Sequence, residues 1–332
     1  MKTKTNKNLL ILSVCWYVIF IALMVIGTVN DVAVGKAVFN PESSLARLAE
    51  NFGQFVYWGM WGPAFTVILL REHDLNEICG ICKIKTDPDS KAFKTLNTIV
   101  KIIYKIAFFV LAVVGWKKLI ENVTKNILQN AGQENLNQAV YFIISAAVAV
   151  IGILFFRKIN KDALKKLELA AFSGVALGIC YKIIEELKPL TERVRFREMV
   201  AYSNGFLNEK GLSEGKYSPL TSEMANTTDF SAFTPWYKKG DAMGIYSRAD
   251  SFPSGHTTYS CTLLLSYIFC RLFDKLKKAA PFMLAVSFVY VALMGYMRMV
   301  AGAHYLTDVA AAAIIGYTVF LIINALYNKI NN

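Results

Sequence analysis

The apolar residues of this chain are gathered into blocks about as long as a bilayer is thick, with short basic segments between them. A helix crossing the hydrocarbon core needs roughly 20 predominantly apolar residues. A soluble domain scatters such residues at helix or strand period instead. The blocks define eight candidate spans, residues 8–29, 55–71, 96–116, 138–156, 166–187, 257–274, 281–297 and 308–327. Lys101 and Lys105 interrupt the third, and Glu168, Lys182 and Glu185 decorate the ends of the fifth. Long side chains near span ends can reach the headgroups, so these residues are compatible with crossing. The expected fold class is all-α, a polytopic membrane helix bundle of about eight transmembrane helices.

The net charge of +12 would suit a nucleic-acid partner only if the charge were gathered on one face. Here Lys and Arg fall in short segments between apolar blocks, the pattern of membrane orientation and attraction to anionic headgroups. Lys2, Lys4 and Lys7 place the N-terminus in the cytoplasm, and eight crossings then fix the remaining connections. The inward ones are Arg71 to Lys94, the cluster Arg157, Lys158, Lys161, Lys165 and Lys166, and the cluster Arg271, Lys275, Lys277 and Lys278; all three are basic. Residues 188–256 and 298–307 then lie outside. The first of these is the chain's long polar region, and its Phe206, Phe230, Phe233, Trp236 and Tyr237 suit either a small packed cap or the membrane interface. The run Leu9–Val29 exceeds an ordinary signal-peptide core and no A-x-A site follows, so it reads as a retained span.

Cys15, Cys180, Cys261 and Cys270 lie in apolar blocks and read as small hydrophobes. Cys79 and Cys82 form one C-x-x-C. A zinc site would need a second pair or nearby histidines, and none follows, so these read as reduced thiols in a loop.

Chemistry concentrates at three places. In Phe252-Pro253-Ser254-Gly255-His256, Ser254 and Gly255 fall where a helix N-terminus offers free N–H groups to an anion, and glycine permits close backbone approach. His256 stands beside them, suited to proton transfer. In Arg298-x5-His304-x3-Asp308, the last two residues share a face if helical, so that Asp308 could hold one imidazole nitrogen and free the other. Asp308 could equally cap the last span, and Arg298 can grip phosphate oxygens in bidentate fashion. In Lys188-x6-Arg195, with Arg193 and Arg197 nearby, cations seven apart would share a helical face, although Pro189 can end that helix. This cluster falls outside, where basic residues are not otherwise favoured.

Together, in this order and between spans, the three constellations resemble the type 2 phosphatidic acid phosphatase superfamily, whose pattern is K-x6-RP, PSGH and SR-x5-H-x3-D. The resemblance covers roughly residues 138–327. Phe196 stands where the family has proline and Met297 where it has serine. The resemblance implies a six-helix phosphatase core within residues 96–332, including loop 188–256, preceded by N-terminal membrane helices in 1–95 with no assigned role. It implies that His304 attacks phosphorus, that Asp308 orients it, and that His256 protonates the leaving group and then activates water. Lys188, Arg195, Arg298, Ser254 and the Gly255 N–H would hold the phosphate, with neither metal nor other cofactor. The implied substrate is a phosphorylated membrane lipid at the extracytoplasmic face. Undecaprenyl diphosphate comes first if the source is bacterial, as the Lys-, Ile- and Asn-rich composition suggests, and phosphatidate or phosphatidylglycerol phosphate second. A transporter or binding protein for an anionic lipid is the rival of a different class, set against the lack of evident repeated halves.

Overall fold

The structure, a computed structural model, describes residues 2–71, 73, 75, 77, 79, 87–130, 136–186, 188–208, 211–212, 220–240 and 250–331. Cys82 lies outside them. Cys79 is a buried free thiol.

The chain is a helical membrane protein. Among the described residues, six segments are long and apolar enough to cross a bilayer: Leu9–Val38, Lys91–Thr124, Gln138–Phe156, Lys161–Leu190, Lys277–Val300 and Leu306–Ile330. They belong to helices α1 (Lys2–Val38), α4 (Lys91–Asn130), α5 (Gln138–Phe156), α6 (Lys161–Glu186), α11 (Ala280–Val300) and α12 (Leu306–Asn331). The other two apolar blocks form shorter helical passages. Residues 55–71 make α3 (Phe55–Arg71), and the block from 257 is broken into α9 (Gly255–Ser260), a 3-10 turn at Cys261–Leu264, and α10 (Leu265–Leu272). Hydroxyls explain the break. Thr258 and Ser260 bond back to the carbonyls of Ser254 and Thr257, which competes with regular helix pairing.

The chain divides into two compact units, Met1–Val56 with Ala176–Asn332, and Tyr57–Val175. In the second unit, Ala64, Val67 and Ile68 of α3 pack with Leu164 and Ala171 of α6. In the first, α1 runs antiparallel to α12: Ser13 pairs with Tyr317 at 2.6 Å, the Trp16 indole donates to the Ala313 carbonyl at 3.2 Å, and Thr307 bonds Asp31. The buried run Ala310–Ala313 presents small side chains to these neighbours, the usual device for close helix approach in a membrane. After α1 the chain turns into a short helix, α2 (Ser44–Phe52), begun by Ser43, whose hydroxyl accepts from the Ala46 N–H.

The described residues between 188 and 256 form a cap. Its helices α7 (Phe196–Ser203) and α8 (Met224–Thr227) flank a two-residue hairpin pairing Leu207–Asn208 with Gly211–Leu212. Phe206, Phe230 and Phe233 pack against a core of Phe39, Phe196, Val200, Ala201, Leu220, Ala225 and Tyr305. Trp236 stacks on Phe252 and donates to Thr28 of α1, whereas Tyr237 is exposed.

Candidate phosphate site

Six of the eight residues singled out in the sequence carry charge or can take one up, and the fold gathers all eight in the first unit. Lys188 lies in a 3-10 turn at Lys188–Leu190, and residues 192–195 form an irregular link that begins with Glu192 at a φ of +47°. Lys188 and Arg195 therefore do not share a helical face. Pro189 ends the helix, and Arg195 is brought back as the N-terminal flanking residue of α7. Ser254 flanks α9 and accepts a hydrogen bond from Thr257. Gly255 is needed for space: a Cβ there would lie 2.8 Å from the Lys188 Nζ. The close approach expected of a phosphate is thus first made by the lysine.

His304 precedes α12 rather than lying on it, in the loop Ala301–Tyr305. This loop turns at Gly302, whose φ of +63° suits glycine and whose carbonyl accepts from the Arg197 N–H at 2.8 Å. A Cβ at 302 would also fall 2.6 Å from the Phe39 ring. The His304 Nδ1 lies 2.7 Å from the Ser251 carbonyl oxygen and 3.6 Å from Asp308 Oδ2. The carbonyl can only accept, so Nδ1 carries the hydrogen and Nε2 the lone pair. The expected direct bond to Asp308 is replaced by this contact. Asp308 acts one step back: its Oδ2 accepts from the Ser251 hydroxyl at 2.5 Å and from the Tyr305 N–H at 2.8 Å, the second capping its own helix.

Several partners were not singled out in the sequence. Arg193, fully buried, bridges Asp308 and Asp31 of α1, while Thr307 donates its N–H and its hydroxyl to Asp31. Arg195 is held bidentately by Asp250 at 3.0 and 3.1 Å. Glu50 of α2 lies 3.4 Å from Arg197 and 3.5 Å from Arg298. A rule was available for Asp31, since an ionisable residue within a span-length apolar helix marks a functional position. The block-based span stopped at Val29 and missed it. Glu50 also had a signal: with Ala46 it faces inward while Leu45 and Leu48 are exposed, the inverse of an ordinary amphipathic helix.

Both departures from the family pattern have packing partners in the N-terminal segment. Phe196 is buried against Phe39, Phe230 and Tyr305. Met297 packs with Ala46 of α2 together with Val300, Ala301 and Ala303.

The electrostatics favour an anion. Burial, and then the positive charges of Arg195, Arg298 and Lys188, push His304 well below the usual 6.5. Burial and Arg298 do the same to His256. Both rings are neutral at pH 7. Burial lowers Arg197 to about 10, against the pull of Glu50. Burial opposes the charge of Asp250, yet Arg195, Lys188 and His304 hold its carboxyl below the ordinary range. The Arg298 Nε is buried with no acceptor among the described residues. A buried cationic donor of this kind calls for an oxygen-rich anion. Among the described residues no group of His, Cys, Asp or Glu is arranged to hold a metal ion.

A neutral imidazole with a fixed free nitrogen, set among buried cations, is an arrangement suited to phosphoryl chemistry. Residues 215–332, which contain both histidine motifs, match the family model described as the PAP2 superfamily. That match, together with the six span-length apolar helices, supports an integral membrane phosphatase of the lipid phosphate type. No curated protein and no solved structure matches it.

Proposed function

We propose that the protein removes the terminal phosphate of a membrane lipid phosphomonoester or diphosphate through a phosphohistidine at His304. The observation that carries this reading is the bond from His304 Nδ1–H to the Ser251 carbonyl, because it commits one nitrogen and leaves the Nε2 lone pair to attack. As the N–P bond forms, the P–O bond to the leaving group breaks and His256 gives that oxygen its proton. Water then attacks phosphorus, His256 takes the proton, and phosphate leaves. The positive charge that develops on His304 is stabilised by Asp308, 3.6 Å away. Lys188, Arg195, Arg298, Ser254 and the Gly255 N–H hold the phosphate oxygens, and the buried Arg298 Nε supports this assignment.

A neutral His256 is a poor acid. The substrate corrects this, since a phosphate dianion placed beside the ring raises its proton affinity. The proton and the substrate are therefore taken up together.

The lipid we favour is undecaprenyl diphosphate in a bacterial cell membrane, with phosphatidate or phosphatidylglycerol phosphate second. The distribution of Lys and Arg between the apolar blocks supports a site facing the extracytoplasmic side. The test is phosphate release by the purified protein from phosphatidate, phosphatidylglycerol phosphate and undecaprenyl diphosphate, beside its His304→Ala variant. The parent is expected to release phosphate from at least one and to trap acid-labile label on His304. Near-normal turnover by His304→Ala would sink the reading.

A further inference from the structure

The N-terminal segment lies outside the region that matches the family, yet it holds His256 by both ring nitrogens. The His256 Nε2 lies 3.2 Å from the Glu50 carbonyl oxygen, and its Nδ1 lies 3.3 Å from the Gln54 amide nitrogen. A carbonyl can only accept, so Nε2 carries the hydrogen and Nδ1 accepts from the Gln54 NH2. The segment is itself fixed. Asn40 N–H donates to the Val300 carbonyl at 2.9 Å, Ala46 packs under Val300, Ala301 and Ala303, and the Tyr290 hydroxyl donates to the Gly53 carbonyl at 3.3 Å.

From this geometry we propose that Gln54 is a positioning residue for proton transfer, an amide partner able to serve His256 in both of its protonation states. A residue that acts first as acid and then as base alternates between imidazolium and imidazole. Most side-chain partners suit only one: a carboxylate favours the cation and an ammonium the neutral ring. A primary amide suits both, because its NH2 donates to a bare Nδ1 and, after rotation, its oxygen accepts from Nδ1–H. With the imidazolium formed, Nδ1–H donates to the Gln54 oxygen. The Nε2 proton leaves the Glu50 carbonyl on which it rests and passes to the leaving oxygen as the P–O bond breaks, which leaves the neutral Nδ1–H tautomer with its Nε2 lone pair free for the attacking water. When that water loses its proton to Nε2, the imidazolium is restored and the atoms balance.

The charged and titratable groups facing His256 are Glu50 from α2, Arg298 from α11 and His304 from the loop before α12. Arg298 opposes protonation, Glu50 favours it, and Gln54 adds no charge of its own. The two departures from the family pattern fit the same picture, since Phe196 and Met297 are among the residues against which this segment packs.

The proposal rests on His256 being the acid, and the experiment separates the two claims. Gln54→Glu and Gln54→Met are made in the full-length protein, and kcat and KM are followed against pH with whichever of dioctanoyl phosphatidate and farnesyl diphosphate the parent turns over. Gln54→Glu is expected to move the alkaline limb of kcat about one pH unit higher, because a carboxylate holds the imidazolium. Gln54→Met is expected to lower kcat about tenfold with KM within about twofold. A merely structural role would not move the limb, and Gln54→Glu decides the matter if Gln54→Met fails to fold. Parent-like kcat and limb position in Gln54→Glu, beside an inactive His256→Ala, would overturn the role of Gln54 alone. An active His256→Ala would overturn the assignment of the acid, and this inference with it.

Discussion

In the unit formed by residues 1–56 and 176–332, charged side chains are buried in chains of partners that join distant segments. In the unit formed by 57–175 they gather nearer the ends of helices, as Arg71, His73, Glu77 and Glu168 do. Arg193 is fully buried between Asp31 and Asp308, and Glu50 reaches Arg197 and Arg298. In the other unit, Arg71 at 20% exposure meets Glu168 at 2.7 Å, and Lys117 meets Glu121 one turn along the same helix. The difference follows from the cost of burying charge. A buried ion contributes little net stability even when paired, so the first arrangement is explained by chemistry rather than by folding. The second resembles the ordinary anchoring of span ends.

Three substitutions sharpen or break that contrast. Arg193→Leu should have the largest effect, because it leaves two carboxylates buried without their cation. The loss should be about 3–5 kcal/mol in thermal or denaturant unfolding, with activity down at least about 100-fold as the Asp308 geometry loosens. A stable and active Arg193→Leu protein would erase the distinction between the units.

Arg195→Ala tests the electrostatics of the nucleophile. After burial, Arg195 is the largest influence holding His304 below its usual range. Removing a cation raises the proton affinity of a neighbouring imidazole, and His304 must be neutral to attack. The acid limb of kcat/KM should therefore move to higher pH, together with a loss of about 10- to 100-fold from weaker phosphate binding. A lower or unmoved limb would contradict this reading.

Glu168→Gln should have the smallest effect, about 1–2 kcal/mol in stability with kcat/KM within about twofold of the parent. Its pH dependence carries a definite sign. Burial opposes protonation of His73, but Glu168 and Glu77 prevail and raise it above 6.5. A raised histidine contributes stability that is fully present below the unfolded value and is lost as pH rises through the folded one. The cost of Glu168→Gln should accordingly be greater at about pH 5.5 than at about pH 8. His256 and His304, both lowered, have the opposite sign and withdraw stability as pH falls below 6.5. Unfolding curves of parent and variant at the two pH values check this.

The membrane helices were legible in the sequence because apolar length is a local property. All eight blocks are helical, though the one at 257 breaks where hydroxyl side chains compete with helix pairing. The histidines, Lys188, Arg195 and Arg298 were legible because their spacing is local as well. What spacing could not give was partnership across the chain. Asp308 appeared able to bond His304 because the two are four apart, but His304 precedes the helix and the bond goes to the Ser251 carbonyl, 53 positions away. Gln54 is 202 positions from His256, and no pattern within either segment announces the other. Phe196 and Met297 read as departures until the N-terminal segment was seen packing on them.

The tie between Asp31 and Arg193 spans 162 positions, and this bears on how the protein is made. During synthesis α1 enters the bilayer with its carboxylate long before the matching cation has been translated. An unpaired carboxylate favours the aqueous edge, which holds α1 short of its final depth. Arrival of Arg193, and then of Thr307 and Asp308, removes that restraint.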